Sequence, residues 1–191
     1  IGEPRFLTLS NYMPLVAAPD AKMPYWWFDE AAGGGWLGAH GSHIVDQIRT
    51  WLGEFASLSA ALPVVSARAG GAEDSYALRF RLTNGVQGVI QQTGGAWGPP
   101  ASMARVAGTL GTIWTEHGVV RIADCDGVRE LPVLVEPAPF VRLCEVLRAG
   151  VEGLTPISAV PPPTFHDGLA CMEVLDAIRA SAARDGALVT L

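Results

Sequence analysis

Residues 76–93 constrain the fold most, because they predict two strands joined by a tight turn. Every second residue over 76–82 is apolar, and the intervening residues include two arginines, which is the period-2 pattern of a strand with one buried face. Asn84-Gly85 then predicts a type I′ turn, and residues 86–93 return as the partner strand. Two more strands are expected over 104–124. Strands joined by hairpins imply an antiparallel sheet.

Helical patterns flank these strands. Apolar residues over 44–52 recur at helical spacing, and a shorter helix over 139–149 begins with proline. A long helix over about 164–183 has Thr164 and Asp167 in the arrangement of a capping box. With a first strand over 5–10, the order predicts an α+β fold: an open, mainly antiparallel sheet with helices packed on one face. The other face would be free for oligomerisation.

The sequence also predicts which residues of the long C-terminal helix are buried and the state of the cysteines. Cys171 belongs to the predicted apolar stripe of the long helix, with Leu169 and Met172 widening it. The three cysteines, Cys125, Cys144 and Cys171, form no C-x-x-C pair. We expect them to be buried, reduced thiols of a cytoplasmic protein.

Composition excludes several classes of partner. Hydrophobic residues make up 49% of the 191 residues and charged residues only 17%, as in one folded domain with part of its surface covered by another domain or subunit. A net charge of −6 without a basic cluster argues against nucleic acid. No apolar run approaches the ~20 residues of a membrane span.

The segment from Gly33 to Gly53 has the composition of an active site. Its glycines permit positive φ and a close approach of the backbone to a ligand, and they lead into a helix that carries His40, His43 and Asp46 in its first turns. Asp46 lies at i, i+3 from His43, close enough to orient that imidazole. The three side chains could also hold zinc, but positions 40 and 46 are ~120° apart around a helix, which is a poor geometry, and we predict no metal.

An aromatic cluster, residues 25–28 (YWWF), precedes the glycines. One interpretation is a hydrophobic plug over the core. The other is a wall over a pocket whose floor is the glycine run, with Trp27 against a ligand.

Taken in order, these motifs resemble those of the Gfo/Idh/MocA family, which includes glucose–fructose oxidoreductase and inositol dehydrogenase. The resemblance rests on GGG-x-L, on Gly41-x-His43-x-x-Asp46, on the hairpin YALRFRLTNGVQGVIQ, on VAGTLGTI and on the closing helix. It covers nearly the whole chain. It implies the fold of the family's C-terminal domain, which is similar to that of dihydrodipicolinate reductase.

The resemblance also implies a division of labour between two domains. Residues 1–191 would be a single C-terminal substrate-binding and oligomerisation domain, and the N-terminal Rossmann domain that binds NAD or NADP would be absent. No G-x-G-x-x-G follows a strand here, and Lys22 is followed by Met23 rather than by the proline of the family's catalytic Lys-Pro. We therefore expect the isolated chain to be inactive and the parent protein to oxidise a sugar, a polyol or a related hydroxyl compound.

In the family, the histidine aligned with His43 acts with that lysine as acid/base, and imidazole suits proton removal from a hydroxyl at neutral pH. The family's aspartate four residues earlier aligns with Ala39. His40 could substitute for it only if this segment is a loop. The alternative is a non-catalytic module that senses a ligand or a protein. The expected substrate-binding residues are Trp27, Gly34, Gly35, His40 and Asp46, and the expected assembly is a homodimer or homotetramer through the open sheet face.

Overall fold

The computed structural model describes residues 1–67, 70–132, 139–154 and 162–191. A 3-10 helix covers Tyr25–Phe28 and a π-helical turn covers Leu37–Gly41. The α-helices are α1 (Ser42–Leu52), α2 (Pro139–Glu152) and α3 (Phe165–Ala182). The strands are β1 (Pro4–Tyr12), β2 (Phe55–Ala61), β3 (Ser75–Leu82), β4 (Gln87–Thr93), β5 (Ala101–Gly108), β6 (Gly111–Glu116), β7 (Val119–Asp124), β8 (Gly127–Leu131) and β9 (Val189–Thr190).

All nine strands form one open sheet in the order β8-β7-β6-β5-β1-β4-β3-β2-β9. β1 and β4 run parallel, with Leu9 beside Ile90, and every other neighbouring pair is antiparallel. The predicted open, mainly antiparallel sheet is confirmed. The chain forms three strands over 101–124, where two were predicted.

The turn between β3 and β4 differs from the predicted type I′ turn. Gly85 has φ of 89°, but Asn84 does not have positive φ, whereas type I′ requires it at both positions. Gly85 N–H donates to the Leu82 carbonyl at 3.0 Å, and Leu82 N–H donates to the Val86 carbonyl at 2.8 Å. The loop therefore has three residues, with the glycine alone in the left-handed region.

The core lies between one face of the sheet and helices α1 and α3. Along β3, the residues Tyr76, Leu78, Phe80 and Leu82 are buried while the arginines between them are exposed. They join the apolar residues of the two helices in a single cluster. Full burial of one such aliphatic side chain stabilises a fold by about 1.5–3 kcal/mol. The predicted placement of helices on one face is thus confirmed for α1 and α3.

Helix details correct three expectations. α3 has the predicted capping box between Thr164 and Asp167, but Leu169 and Met172 are 58% and 48% exposed rather than part of its buried stripe. α2 continues to Glu152, beyond the predicted end before Gly150. Cys171 is buried as predicted, whereas Cys125 and Cys144 are exposed.

The opposite sheet face points away from α1 and α3, whose buried residues join the core cluster. A row of cross-strand neighbours runs Arg79, Val89, Thr8, Arg105 and Trp114. The guanidinium carbon of Arg105 lies 5.1 Å from the centroid of the Trp114 ring, an arrangement typical of a cation–π contact. Assembly through this face stays a prediction.

None of the described helices combines the length and the apolar composition that a membrane span requires.

Candidate functional site

The glycine loop packs against the protein itself. Gly33 and Gly35 have φ of 73° and 95°, a region that glycine enters without steric cost. A Cβ on Gly34 would collide with the Trp26 carbonyl, and one on Gly35 with the Glu73 carboxylate. Their N–H groups donate within the loop region, Gly34 to Asp29 O and Gly35 to Trp27 O, each at 2.9 Å. The loop is a tight internal turn, not a phosphate cradle.

Glu73 fixes the start of the helical segment. Sequence reasoning missed this role, for which the only signal is an acidic pair before a buried strand. Leu37 N–H donates to Glu73 Oε1 at 2.8 Å, and Trp36 N–H donates to the Glu73 carbonyl at 3.0 Å. Burial raises the pKa of the Glu73 carboxyl, against hydrogen bonds that favour its charged form. The carboxylate thereby ties the loop to the first residues of the π-helical turn.

The π-helical turn Leu37–Gly41 places His40. The sequence is compatible with a loop or with a regular α-helix over this segment, and the structure has neither. The imidazole of His40 stacks on the Trp36 ring, with centroids 4.6 Å apart and planes 10° apart. π-helical turns of this kind occur frequently at functional sites. The stack fixes the plane of the imidazole.

His40 and His43 lie together at the start of α1. Their ring centroids are 6.1 Å apart and their planes are inclined by 59°. Burial, and then the charge of His43, lower the pKa of His40. Both effects disfavour the charged form of His40, so His40 is neutral at neutral pH.

The aromatic cluster connects to the same place. Trp27 contacts Trp26 and Trp36, with 5.9 Å between ring centroids in each pair. Trp27 packs against the hydrophobic core, while Tyr25 is 82% exposed. The rings run in series from Trp26 to His40, and the packing of Trp27 on the core agrees with the interpretation as a hydrophobic plug. The interpretation as a wall against a ligand stays a prediction.

Asp46 lies about one turn along α1 from His43 and contacts α3. Cys171 Sγ lies 3.9 Å from Asp46 Oδ1, and no hydrogen bond joins Asp46 to His43 within the described part of the chain. Both residues line an open groove of about 660 Å³ between α1 and the start of α3. The exposed Phe165 and Leu169 form part of its other wall.

Arg49 joins α1 to α3 beside this groove. Its guanidinium donates two hydrogen bonds to the Glu54 carboxylate, at 2.7 and 2.8 Å, and one to the Asp167 carbonyl at 3.0 Å. The side chain is only 9% exposed. Hydrogen bonds from Arg49 to Glu54 raise the pKa of the guanidinium. These contacts leave Arg49 as a structural clamp rather than a free cation for a ligand.

Behind the histidines lies a set of buried polar groups that sequence reasoning missed. We call it the orphan set: Trp36 Nε1, His40 Nδ1, Tyr76 OH and the Gln92 amide, none of which has a hydrogen-bond partner among the described residues. Tyr76 pairs with Gln92 across β3 and β4. A Cβ on Gly94, two residues after Gln92, would lie 3.3 Å from the Trp36 ring. Tyr76 and Gln92 therefore share one sheet face, and the Trp36 ring that stacks on His40 packs beside the end of β4.

Potential metal ligands gather elsewhere. Within the described ranges, Asp124, Cys125 and Asp126 bring ligand atoms within 4.8 Å of one another in the exposed turn between β7 and β8. The ligand atoms of His40, His43 and Asp46 do not come together in such a group. Acidic surface turns are common without a metal, and nothing else at this turn indicates one.

Comparisons with known proteins agree with this architecture. A family profile described as the GFO/IDH/MocA C-terminal domain matches residues 1–114, whereas no curated protein sequence gives a match. The full chain superposes on levoglucosan dehydrogenase in complex with NADH, at a TM-score of 0.82 and 22% identity, and spans 59% of that protein.

Two further solved structures give similar values. The full chain matches an oxidoreductase domain protein from Kribbella flavida at a TM-score of 0.81 and 21% identity. It matches an NAD-binding oxidoreductase from Klebsiella pneumoniae at a TM-score of 0.82 and 20% identity. The chain spans 59% of each of these proteins. At these identities the likeness shows the fold.

Proposed function

Because the chain belongs to the Gfo/Idh/MocA family, whose C-terminal domain profile matches residues 1–114, we propose that it is the substrate-binding domain of an NAD(P)-dependent oxidoreductase. The proposed substrate is a sugar, a polyol or a related hydroxyl compound. The observation that carries the proposal is His43 in the first turn of α1, beside His40 and on the wall of an open groove. Solved relatives bind NADH together with levoglucosan or with L-sorbose.

The proposed role of His43 is to take the hydroxyl proton when the substrate is oxidised and to return it in the reverse reaction. Imidazole suits both directions, because its ordinary pKa of about 6.5 is close to neutral pH. Trp27 and His40 would border the substrate, since their rings stand in series beside His43. Gly34 and Gly35 would contribute the shape of the loop, as their N–H groups are already bonded. Asp46 would contribute through the groove that it lines with His43.

We further propose that residues 1–191 form one domain and that a separate Rossmann domain holds the NAD or NADP. The glycine loop does not fit a dinucleotide, because its N–H groups are bonded internally and protein atoms occupy the space beside Gly34 and Gly35. Solved relatives are longer than this chain, which spans 59% of levoglucosan dehydrogenase. A nicotinamide, when bound, would accept or donate a hydride. The isolated chain is then inactive.

The proposed assembly is a homodimer or homotetramer in the cytoplasm, formed through the open sheet face. Support comes from that face, where Val89 and Trp114 flank Thr8 and Arg105 across neighbouring strands. A non-catalytic sensing module is the second candidate function. Two observations favour it. Ala39 stands at the family's aspartate position, and no hydrogen bond joins Asp46 to His43 among the described residues.

The test is kinetic and uses the full-length protein with its nucleotide domain. Levoglucosan, L-sorbose and myo-inositol are offered with NAD and with NADP, and the nicotinamide absorbance is followed. We expect turnover with at least one pair, and a loss of about 10²–10⁴-fold in kcat for His43→Ala. His117→Asn, in the exposed turn between β6 and β7, is the matched control and should keep full activity. Binding without turnover would favour the sensing module, and unchanged kcat in His43→Ala would remove the proposed role of His43.

A further inference from the structure

His40 has the features of a fixed, uncharged hydrogen-bonding group next to the proposed base. Its ring is stacked on Trp36 at 4.6 Å, and Trp36 is itself 4% exposed and held between Trp27 and Gly94. An imidazole that cannot turn presents its two nitrogens in fixed directions. Such fixed dipoles stabilise developing charge without reorganisation during a reaction.

The geometry relates His40 to the atom on which His43 would act. The ring centroids are 6.1 Å apart, a separation at which one oxygen atom reaches both rings with hydrogen bonds of roughly 2.8 Å when a nitrogen of each ring faces the other ring. No carboxylate bonds to either ring among the described residues. The nearest carboxylate on the same helix, Asp46, has its Oδ1 atom 3.9 Å from Cys171 Sγ.

We propose that His40 is a second catalytic residue: a neutral imidazole whose N–H donates a hydrogen bond to the reacting oxygen of the substrate while His43 moves the proton. The proposal rests on the function proposed above. In the oxidation of a CH–OH group, the O–H bond breaks and its proton goes to His43. The C–H hydrogen leaves with its electron pair to the nicotinamide supplied by the nucleotide domain, and a C=O bond forms. His40 neither gains nor loses a proton.

The electrostatics of the pair support this division of roles. A charged His40 beside a protonated His43 is disfavoured by burial and by repulsion, so His40 remains a neutral donor in both directions of the reaction. In carbonyl reduction, it would polarise the C=O bond before His43 delivers the proton. Neutral imidazoles are known to act as electrophiles in this way. The required tautomer carries its hydrogen on Nε2, which leaves the buried Nδ1 as an acceptor in the orphan set.

The test separates the N–H group from the ring. His40→Phe keeps an aromatic ring against Trp36 but has no donor, and His40→Gln keeps an N–H donor without the ring. In the full-length protein, with the substrate found in the screen above, we expect His40→Phe to lower kcat about 100-fold while KM stays within about threefold. His40→Gln should recover at least about tenfold of that loss, and His117→Asn should match the wild type.

Three results would decide against the proposal or its premise. A His40→Phe variant within about threefold of the wild-type kcat, with His43→Ala inactive, overturns the role of His40 and leaves the proposed function intact. Equal loss in His40→Phe and His40→Gln assigns the effect to ring packing and also overturns it. No turnover by the wild type with any probe overturns the proposed function, and the role of His40 with it. If His40→Phe does not fold, judged by near-UV circular dichroism, His40→Leu replaces it as the donor-free variant.

Discussion

Two neighbouring residue pairs of the β3–β4 ladder, here called rungs, differ in the hydrogen bonding of their polar side chains. In the rung Ser75–Thr93, the two hydroxyl oxygens are 2.8 Å apart, and Thr93 Oγ1 also accepts Gly95 N–H at 3.0 Å. In the next rung, Tyr76–Gln92, neither the phenol nor the amide has a partner within the described residues, although each residue is only 2% exposed. Adjacent rungs point to opposite faces of a sheet, so the contrast is between the two faces.

The saturated rung belongs to the scaffold. Asp74 extends it, because its carboxylate accepts N–H bonds from Val65 and Ser66 at 2.8 Å each and hydroxyl bonds from Ser66 and Ser75 at 2.5 and 2.8 Å. Burial alone would raise the pKa of Asp74, but the hydrogen bonds led by Ser66 outweigh it, and the pKa lies below its ordinary value. The unsaturated rung lies two residues before Gly94, which approaches the Trp36 ring. Buried polar groups without protein partners are typical of functional sites and of places that bind water.

The largest expected effect is at Asp74. Asp74→Ala leaves four donors without an acceptor in a buried place, and we expect it to lower the free energy of unfolding by about 4 kcal/mol, measured by urea denaturation. Asp20→Ala, at an exposed position, should change it by less than about 0.5 kcal/mol. If Asp74→Ala lowered the free energy of unfolding as little as Asp20→Ala does, this rung would not be part of the stabilising scaffold.

The same substitution has a pH signature. Because the pKa of Asp74 is lower in the folded state, its stabilisation is fully present above the unfolded pKa of about 3.9. It is lost as the pH falls through the lower, folded value. The difference in stability between wild type and Asp74→Ala should therefore shrink on acidification, and a difference that grows below pH 4 would contradict the assignment.

An intermediate effect is expected at Thr93. Thr93→Val keeps the shape of the side chain and removes both the acceptor for Gly95 N–H and the hydroxyl that pairs with Ser75 Oγ, at an expected cost of about 1–2 kcal/mol. Thr50→Val, on the exposed face of α1, is the matched control and should be nearly neutral. Equal results for the two variants would show that the hydroxyl of Thr93 contributes little.

The smallest effect is expected at Tyr76. Since its hydroxyl has no protein partner in the described chain, Tyr76→Phe should change the free energy of unfolding by less than about 0.5 kcal/mol. Thermal and urea unfolding of the variant and the wild type give the comparison. A loss above about 1 kcal/mol would mean that the hydroxyl is paired after all, for example with an ordered water, and the contrast between the rungs would disappear.

The sequence predicted the parts of the fold that local patterns determine. Alternation over 76–82 identified β3, apolar spacing over 44–52 identified most of α1, and Thr164 with Asp167 marked the start of α3. Each pattern acts within one or two turns or one strand. The parallel pairing of β1 with β4 depends on residues about 80 positions apart, and no local pattern encodes it.

The candidate site was predictable in outline. Glycines followed by histidines at a helix start pointed to the right segment, and the family resemblance pointed to His43. The π-helical turn was not predictable because the same residues are compatible with a regular α-helix. Which of the two forms depends on Glu73 and on the packing of Trp36. Asp74 and the orphan set were not predictable either, because their roles depend on which hydrogen-bond partners folding brings to them. Leu169 and Met172 have the spacing of core residues but line the open groove at the start of α3.

The π-helical turn also has an evolutionary consequence. A π turn holds one residue more than the α-helical path between the same ends, so residues 37–41 contain a position that the helix itself can lose. A single-codon deletion here would restore regular helix, keep α1 and the sheet, and turn His40 away from His43 by roughly 100°. Insertions and deletions inside helices usually disrupt packing. A one-residue deletion at this place would instead change the position of His40 relative to His43 and leave the packing of α1 in place. Relatives aligned without a gap across this segment need not share the arrangement of these two imidazoles.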